Sequence, residues 1–158
     1  MNKHDEKVLT EDRQREVEAL NDLLVKNYDS EAGYKNALLD SHHEKIKMYF
    51  KKQALQRALF INELDKEIRF LNATPVKSGS KTGTAHRVWM DFKTAFTNKS
   101  DEAILEECIR GDKNAVAEYR SLLEDQPFTD QTRKVVQYQL NAILNTLDTI
   151  KKCEDIVD

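Results

Sequence analysis

The pattern of connections constrains the fold of this chain more than any other feature. Two pairs of long segments with helical periodicity, each pair joined by almost no loop, flank one aperiodic stretch from Asn72 to about Thr84. In the first segment Thr10 reads as an N-cap, with Glu11 and Asp12 in the first turn. Its inward stripe, Val17, Leu20, Leu24, Tyr28 or Asn27, Glu31, Tyr34 and Leu38, runs to about Asp40. Ser41 begins the second segment, whose stripe is Ile46, Phe50, Ala54, Arg57 or Ala58, Ile61, Leu64, Ile68 and Leu71. The third opens at Ser100, again an N-cap followed by two acids, and carries Leu105, Cys108 or Ile109, Asp112, Val116, Tyr119 and Leu123. Gln126-Pro127-Phe128-Thr129 ends it, and Thr129 caps a fourth helix that runs to about Cys153 with Val136, Leu140, Ile143, Leu147 and Ile150 inward.

With four Gly and two Pro in 158 residues, the chain has too few turn formers for an all-β fold, and its length suits one domain. The expected organisation is a flexible tail over residues 1–9 and a single bundle domain over 10–155. Helices of about 30 residues are about 45 Å long. The segment Asn72 to Lys99 spans that distance only by combining extended chain with a short helix, His86 to Phe96. Short, long and short connections describe an all-α four-helix bundle whose second and third helices are joined by a crossover.

Charge narrows the function classes. A net charge of −3 gives no large basic field, so nucleic acid is not an expected partner. No apolar run reaches signal-peptide or membrane-span length, which makes the cytoplasm the expected location and a membrane an unexpected partner. In a straight hairpin about Pro127, Cys108 and Cys153 would be offset by about 10 Å along the axis. A disulfide is therefore not expected, and both read as buried or half-buried thiols.

Particular residues also resemble a known family. Leu20-Asn21-Asp22-Leu23, Asp29 with Gly33-Tyr34, Gln56-Arg57 with Phe60 and Glu63-Leu64, Ser78-Gly79-Ser80, and His86-Arg87-x-Trp89-Met90 carry the likeness. So do Lys93 with Thr97, and Ala103-Ile104-Leu105 with Glu107-Cys108. Over roughly Leu20 to Lys151 the chain is similar to small bacterial four-helix-bundle proteins of unknown function assigned to the ferritin-like superfamily. The resemblance implies a ferritin-like fold and, by association, a link to stress responses, but no activity. Two departures stand out. Ile109-Arg110-Gly111-Asp112 stands where the family tends to have Glu-Arg-Gly-Glu, and Leu147-Asp148 where it tends to have His-Asp.

A ferritin-like dimetal site takes a Glu from each of two helices and Glu-x-x-His from each of the others. This chain has no Glu-x-x-His, and its fourth stripe offers no ligand atom, so no iron or manganese cofactor is expected. Polar groups nevertheless recur at inward positions. The weak metal candidates are Asp29, Glu31, Gln56 and Asp112, a set that could hold one hard cation. The competing account is a buried polar network in which Arg57 forks onto Asp112 or onto a carboxylate of helix one. The grouping of His86, Arg87 and Trp89 reads as a docked crossover helix, with Phe92 and Phe96, rather than as a ligand site. Lys45, Lys47, Lys51 and Lys52 read as a solvated face.

These readings favour a non-catalytic structural or interaction protein with no catalytic or cofactor-binding residues and an unknown protein partner. The alternative is a carboxylate metal-binding protein or oxidase with a reduced iron or manganese site, and a third reading is a homodimerising module.

Overall fold

The computed structural model describes residues 2–80 and 99–158, so the features expected at His86, Arg87, Trp89, Phe92 and Phe96 lie outside the described residues. Among the described residues all regular structure is helical. Four long helices, α1 (Lys3–Asp40), α2 (Glu44–Phe70), α3 (Asp101–Asp125) and α4 (Asp130–Thr149), are followed by a single turn, α5 (Glu154–Val157). None of the described helices is long and apolar enough to cross a membrane.

Helix α1 begins before the expected Thr10 cap. Asn2 Oδ1 accepts the Asp5 N–H at 2.9 Å, Asp5 and Glu6 supply the first-turn charge, and Thr10 instead donates its hydroxyl to the Glu6 carbonyl inside the helix. The residues read as a tail are thus mostly helix. At the other end Ser41 closes α1 by donating both its N–H and its hydroxyl to the Ala37 carbonyl. His43, not Ser41, caps α2, with Nδ1 accepting from Lys45 N–H.

The tight link makes α1 and α2 antiparallel neighbours. Ala19, Leu20, Leu23 and Leu24 pack with Phe60, Ile61, Leu64 and Ile68 in a lower apolar cluster, completed by Val116, Tyr119, Val136, Leu140 and Ile143. Tyr34 and Ala37 pack with Ile46, Phe50, Ala54, Ile104, Leu105 and Cys108 in an upper one. Helix α3 runs against α1, since Asn27 meets Tyr119 and Tyr34 meets Asp112. It runs parallel to α2, and α4 runs against α2, with Gln139 at the level of Phe60 and Thr132 at that of Glu67.

The end of α2 is set by one residue. Asn72 has φ 59°, its N–H bonds the Arg69 carbonyl, and the Ala73 N–H bonds the Ile68 carbonyl, which is the paired closure of a Schellman motif. Asn tolerates this left-handed position and β-branched residues do not. Asn72→Val is expected to lower stability by about 1–2 kcal/mol, with Asn72→Gly within about 0.5 kcal/mol of wild type, in denaturant unfolding. From there the chain climbs α1. The Val76 N–H reaches Asn21 Oδ1 at 2.9 Å and Ser80 reaches Asp29, so the described part of this connection lies along the first helix.

Helix α3 begins at the opposite end of the molecule from the end of α2. Ser100 Oγ accepts the Ala103 N–H, and the Asp101 carboxylate accepts the His42 and His43 N–H groups at 2.9 and 2.8 Å, fastening α3 to the α1–α2 turn. At the lower end the buried Glu16 carboxylate accepts the Thr129 N–H and fastens α1 to the start of α4.

Helix α4 stops at Thr149, short of the expected Cys153. Ile150 is extended, and the Asp155 carboxylate accepts the Lys151 and Lys152 N–H groups at 2.8 and 3.1 Å, turning the chain into α5. These bonds hold the Asp155 carboxyl below its ordinary value. The bend lets Ile150, Cys153, Ile156 and Val157 cover the upper cluster, tied by Cys153 N–H to Glu102 and by Lys45 Nζ to the Val157 carbonyl. The axial offset expected for the two cysteines assumed a straight fourth helix. With the bend, Cys153 packs on the same cluster that contains Cys108. Burial pushes the Cys108 thiol well up, and burial together with Glu102 pushes Cys153 to about 12, so neither is a thiolate at neutral pH.

Candidate functional site

Between the two apolar clusters the helices contribute a buried polar layer. Its centre is Arg57, at 0% exposure. Helix periodicity puts this residue on the Ala54, Ile61 and Leu64 face of α2, so its guanidinium has to find its partners inside. Arg57 Nη2 donates to Asp112 Oδ1 on α3 at 2.7 Å, in an ion pair whose side chains are each 1% exposed. Asp112 Oδ2 accepts the Tyr34 hydroxyl of α1 at 2.5 Å, and Arg57 Nη1 donates to the Gln56 side-chain oxygen at 2.7 Å. The guanidinium carbon lies 5.7 Å from the Tyr34 ring centroid and 5.6 Å from that of Phe60. Three helices are joined through one cation.

Burial alone would lower the Arg57 pKa. The attraction and hydrogen bond of Asp112, together with Tyr34 and Tyr119, outweigh it, so the group sits above its already high ordinary value and stays charged. Burial, reinforced by the Asp112 charge, drives the Tyr34 phenol well up, which keeps it a donor. This charge-assisted set is strongly bonded but costly to desolvate. Its main physical consequence is that no member can be removed alone without exposing another to an apolar interior.

Below it runs a second chain, of two amides and a phenol. Asn27 donates to the Tyr119 hydroxyl at 2.8 Å, Tyr119 donates to Gln139 Oε1 at 2.6 Å, and Gln139 Nε2 donates to the Phe60 carbonyl and to Glu63, both at 3.3 Å. Gln139 is fully buried. The expectation that the fourth helix turns only hydrocarbon inward is thereby corrected. Thr132, Val136, Gln139 and Ile143 keep the same 3–4 spacing as the apolar stripe, and that spacing is the signal by which Gln139 could have been found. Among the described residues, two buried side-chain atoms have no hydrogen-bond partner, Gln53 Oε1 and Arg57 Nε, an acceptor and a donor one turn apart on α2.

The four weak metal candidates do not converge. Asp112 lies in the layer. Gln56 is half-buried and reaches Asp112 only through Arg57. Glu31 is half-buried and holds Lys35 on α1 at 3.1 Å. Asp29 faces the connection after α2. Among the described residues no three His, Cys, Asp or Glu side chains form a group that could hold a metal ion. A guanidinium fills the place between Asp112 and Gln56 where a cation would need their oxygens. Among the described residues, Asp29, Glu31, Gln56 and Asp112 are therefore not arranged as the ligands of a dimetal centre would be.

Asp29 has a different task. Its carboxylate accepts the Ser80 N–H at 3.0 Å and the Ser80 hydroxyl at 2.6 Å. Gly79 lies so close that a Cβ there would stand 2.1 Å from Asp29 Oδ1 and 3.3 Å from the Asp29 backbone nitrogen. The connection can be clasped to α1 only because residue 79 has no side chain. Gly79→Ala would push the carboxylate off Ser80 and is expected to lower stability by about 1–3 kcal/mol, read by thermal and denaturant melts. Asp29→Ala should cost a similar amount, and the double variant little more than either alone, because both break the same clasp.

No curated protein matches this chain. A family model described as Domain of unknown function (DUF2383) matches residues 15–125. The matched region runs from the level at which α1 begins to be buried to the end of α3. It includes Asn27, Tyr34, Arg57, Asp112 and Tyr119 but not Gln139. Since the match takes in well over half of the sequence, and with it the whole Arg57–Asp112–Tyr34 set, the chain belongs to this family, the domain of unknown function DUF2383.

Proposed function

We propose that this protein is a ferritin-like four-helix bundle working as a structural or interaction protein, without catalysis, in which a protein cation takes the central place that a metal would occupy in a redox relative. The observation that carries this reading is the buried Arg57 guanidinium, bonded to Asp112 and Gln56 and stacked between Tyr34 and Phe60. The antiparallel α1–α2 and α1–α3 pairs and the parallel α2–α3 pair support the bundle. That order requires a connection running the length of the helices, and its described first part climbs α1. The chemistry of the layer supports the absence of catalysis. Asp112 is engaged by two donors, Tyr34 and Tyr119 are held protonated by burial, and both thiols are held as thiols.

The alternative, a reduced carboxylate metal site, is separated by one experiment. Protein purified without chelator is analysed for metal and melted with and without added iron, manganese or zinc. The expected result is substoichiometric metal and a melting temperature that stays within about 1 °C. Stoichiometric metal with a clear rise in melting temperature would establish the metal-binding reading instead.

A further inference from the structure

We infer that Arg57 Nε and Gln53 Oε1 form an internal binding site for one small neutral ligand that both accepts and donates hydrogen bonds, a single water molecule held inside the core. Arg57 is 0% exposed and Gln53 4%, and neither of these two atoms has a hydrogen-bond partner among the described residues. Leaving an N–H and an amide oxygen both unpaired away from solvent is costly, and native cores rarely tolerate it. The two are of opposite kind, a donor and an acceptor, so one molecule can satisfy both.

Helix geometry brings the two atoms to one place. Residues four apart lie one above the other on a helix face, and side chains lean toward the N-terminal end, so Arg57 extends back over the turn that carries Gln53. The rings fix the level. The guanidinium carbon lies 5.7 Å from the Tyr34 ring centroid, and the Tyr34 ring lies 6.0 Å from that of Phe50, the residue one turn before Gln53. The other guanidinium nitrogens are committed, Nη1 to Gln56 and Nη2 to Asp112, which leaves the Nε edge for the ligand. Buried waters make about two to four hydrogen bonds, and this site supplies two of them.

Charge selects the ligand. Arg57 and Asp112 already neutralise one another, so an added ion would be buried without a counter-ion. A metal ion could use the Gln53 oxygen but would face the guanidinium. An anion could take the Nε proton but could not donate to Oε1, and an ammonium ion could donate but could not accept. A neutral hydroxyl remains, and water is the smallest. The site rests on the proposed role of Arg57 as the core's own cation, and it bonds the one guanidinium nitrogen that the protein leaves unpartnered.

The test is a high-resolution crystal structure of the wild-type chain together with proton NMR of the same protein in water. One water peak is expected at about 2.7–3.2 Å from both Arg57 Nε and Gln53 Oε1. In solution the Arg57 Nε proton should show a rotating-frame cross-peak to water of dipolar sign, which separates a held water from simple proton exchange. Arg57→Met removes that proton and so assigns the signal. Gln53→Leu keeps much of the volume but removes the acceptor, and it should lose the cross-peak while the Arg57–Asp112 pair stays formed. If Gln53→Leu does not fold, the wild-type peak and cross-peak decide alone. A site with neither peak nor cross-peak overturns the proposal, and so does a direct bond between Arg57 and Gln53. A cross-peak that Gln53→Leu leaves unchanged, or a peak with a metal's anomalous scattering at this point, overturns it equally. Metal bound elsewhere in the protein would defeat the functional reading without touching this site, so the two fail separately.

Discussion

Arg57→Ala is expected to lower the unfolding free energy by about 3–5 kcal/mol, a large part of what a domain of this size possesses. The loss has two sources. Deleting the side chain leaves a cavity beside the Tyr34 and Phe60 rings, and it leaves the Asp112 carboxylate buried without its cation while it still accepts the Tyr34 hydroxyl. Arg57→Met separates them. Methionine refills much of the volume without supplying charge, so its cost should stay close to that of alanine if the uncompensated carboxylate dominates. Replacing the unit together, Arg57→Met with Asp112→Leu and Tyr34→Phe, should recover most of the loss, since an apolar set of similar volume carries no desolvation penalty. Denaturant midpoints at constant slope would measure all three.

Tyr119→Phe should cost about 2–3 kcal/mol for the loss of one oxygen atom. The ring's packing is retained, but the Asn27 amide loses an acceptor and Gln139 Oε1 loses its donor, both in a buried layer. The hydroxyl also has a pH signature. Burial raises Tyr119 above its ordinary value of 10.0, and Tyr34 and Tyr49 are raised with it, also mainly by burial. Because these phenols ionise more readily in the unfolded chain, their contribution is complete below pH 10 and is lost as pH rises from there toward their folded values. Wild-type stability should therefore fall steeply with pH above about 10, and Tyr119→Phe should make that fall shallower. A packing defect alone would shift the curve without changing its slope.

The helical plan was legible because its signals are local. The stripes on all four long segments, the Ser100 cap and the break at Pro127 depend on spacing and turn chemistry that a sequence displays directly. Where the reading and the structure differ, a competing local signal or a tertiary contact decided the outcome. Asn2 with Asp5 and Glu6 is as good a start as Thr10 with its acids, and the earlier one was used. The end of α4 depends on Asp155 reaching back to two N–H groups and on an upper core that needed a cover, and neither follows from periodicity. Arg57 and Asp112 could be named as a pair because each breaks an apolar stripe at a similar depth. Tyr34 and Gln56 could not be assigned to them, since hydrogen-bond partners depend on helix rotation. Gln139 does not stand out in the sequence because its neighbour Leu140 satisfies the stripe. The Gly79–Asp29 clasp was visible only as two separate short motifs until the chain folded them together.

One ion pair, supplied by the protein itself, organises the middle of the core. A double-mutant cycle tests it most directly, with Arg57→Ala, Asp112→Ala and the double variant unfolded in denaturant in the presence of a chelator. The expected coupling is about 2–3 kcal/mol, with the double variant costing much less than the sum of the two single ones. Single losses that add to within about 0.5 kcal/mol would contradict it.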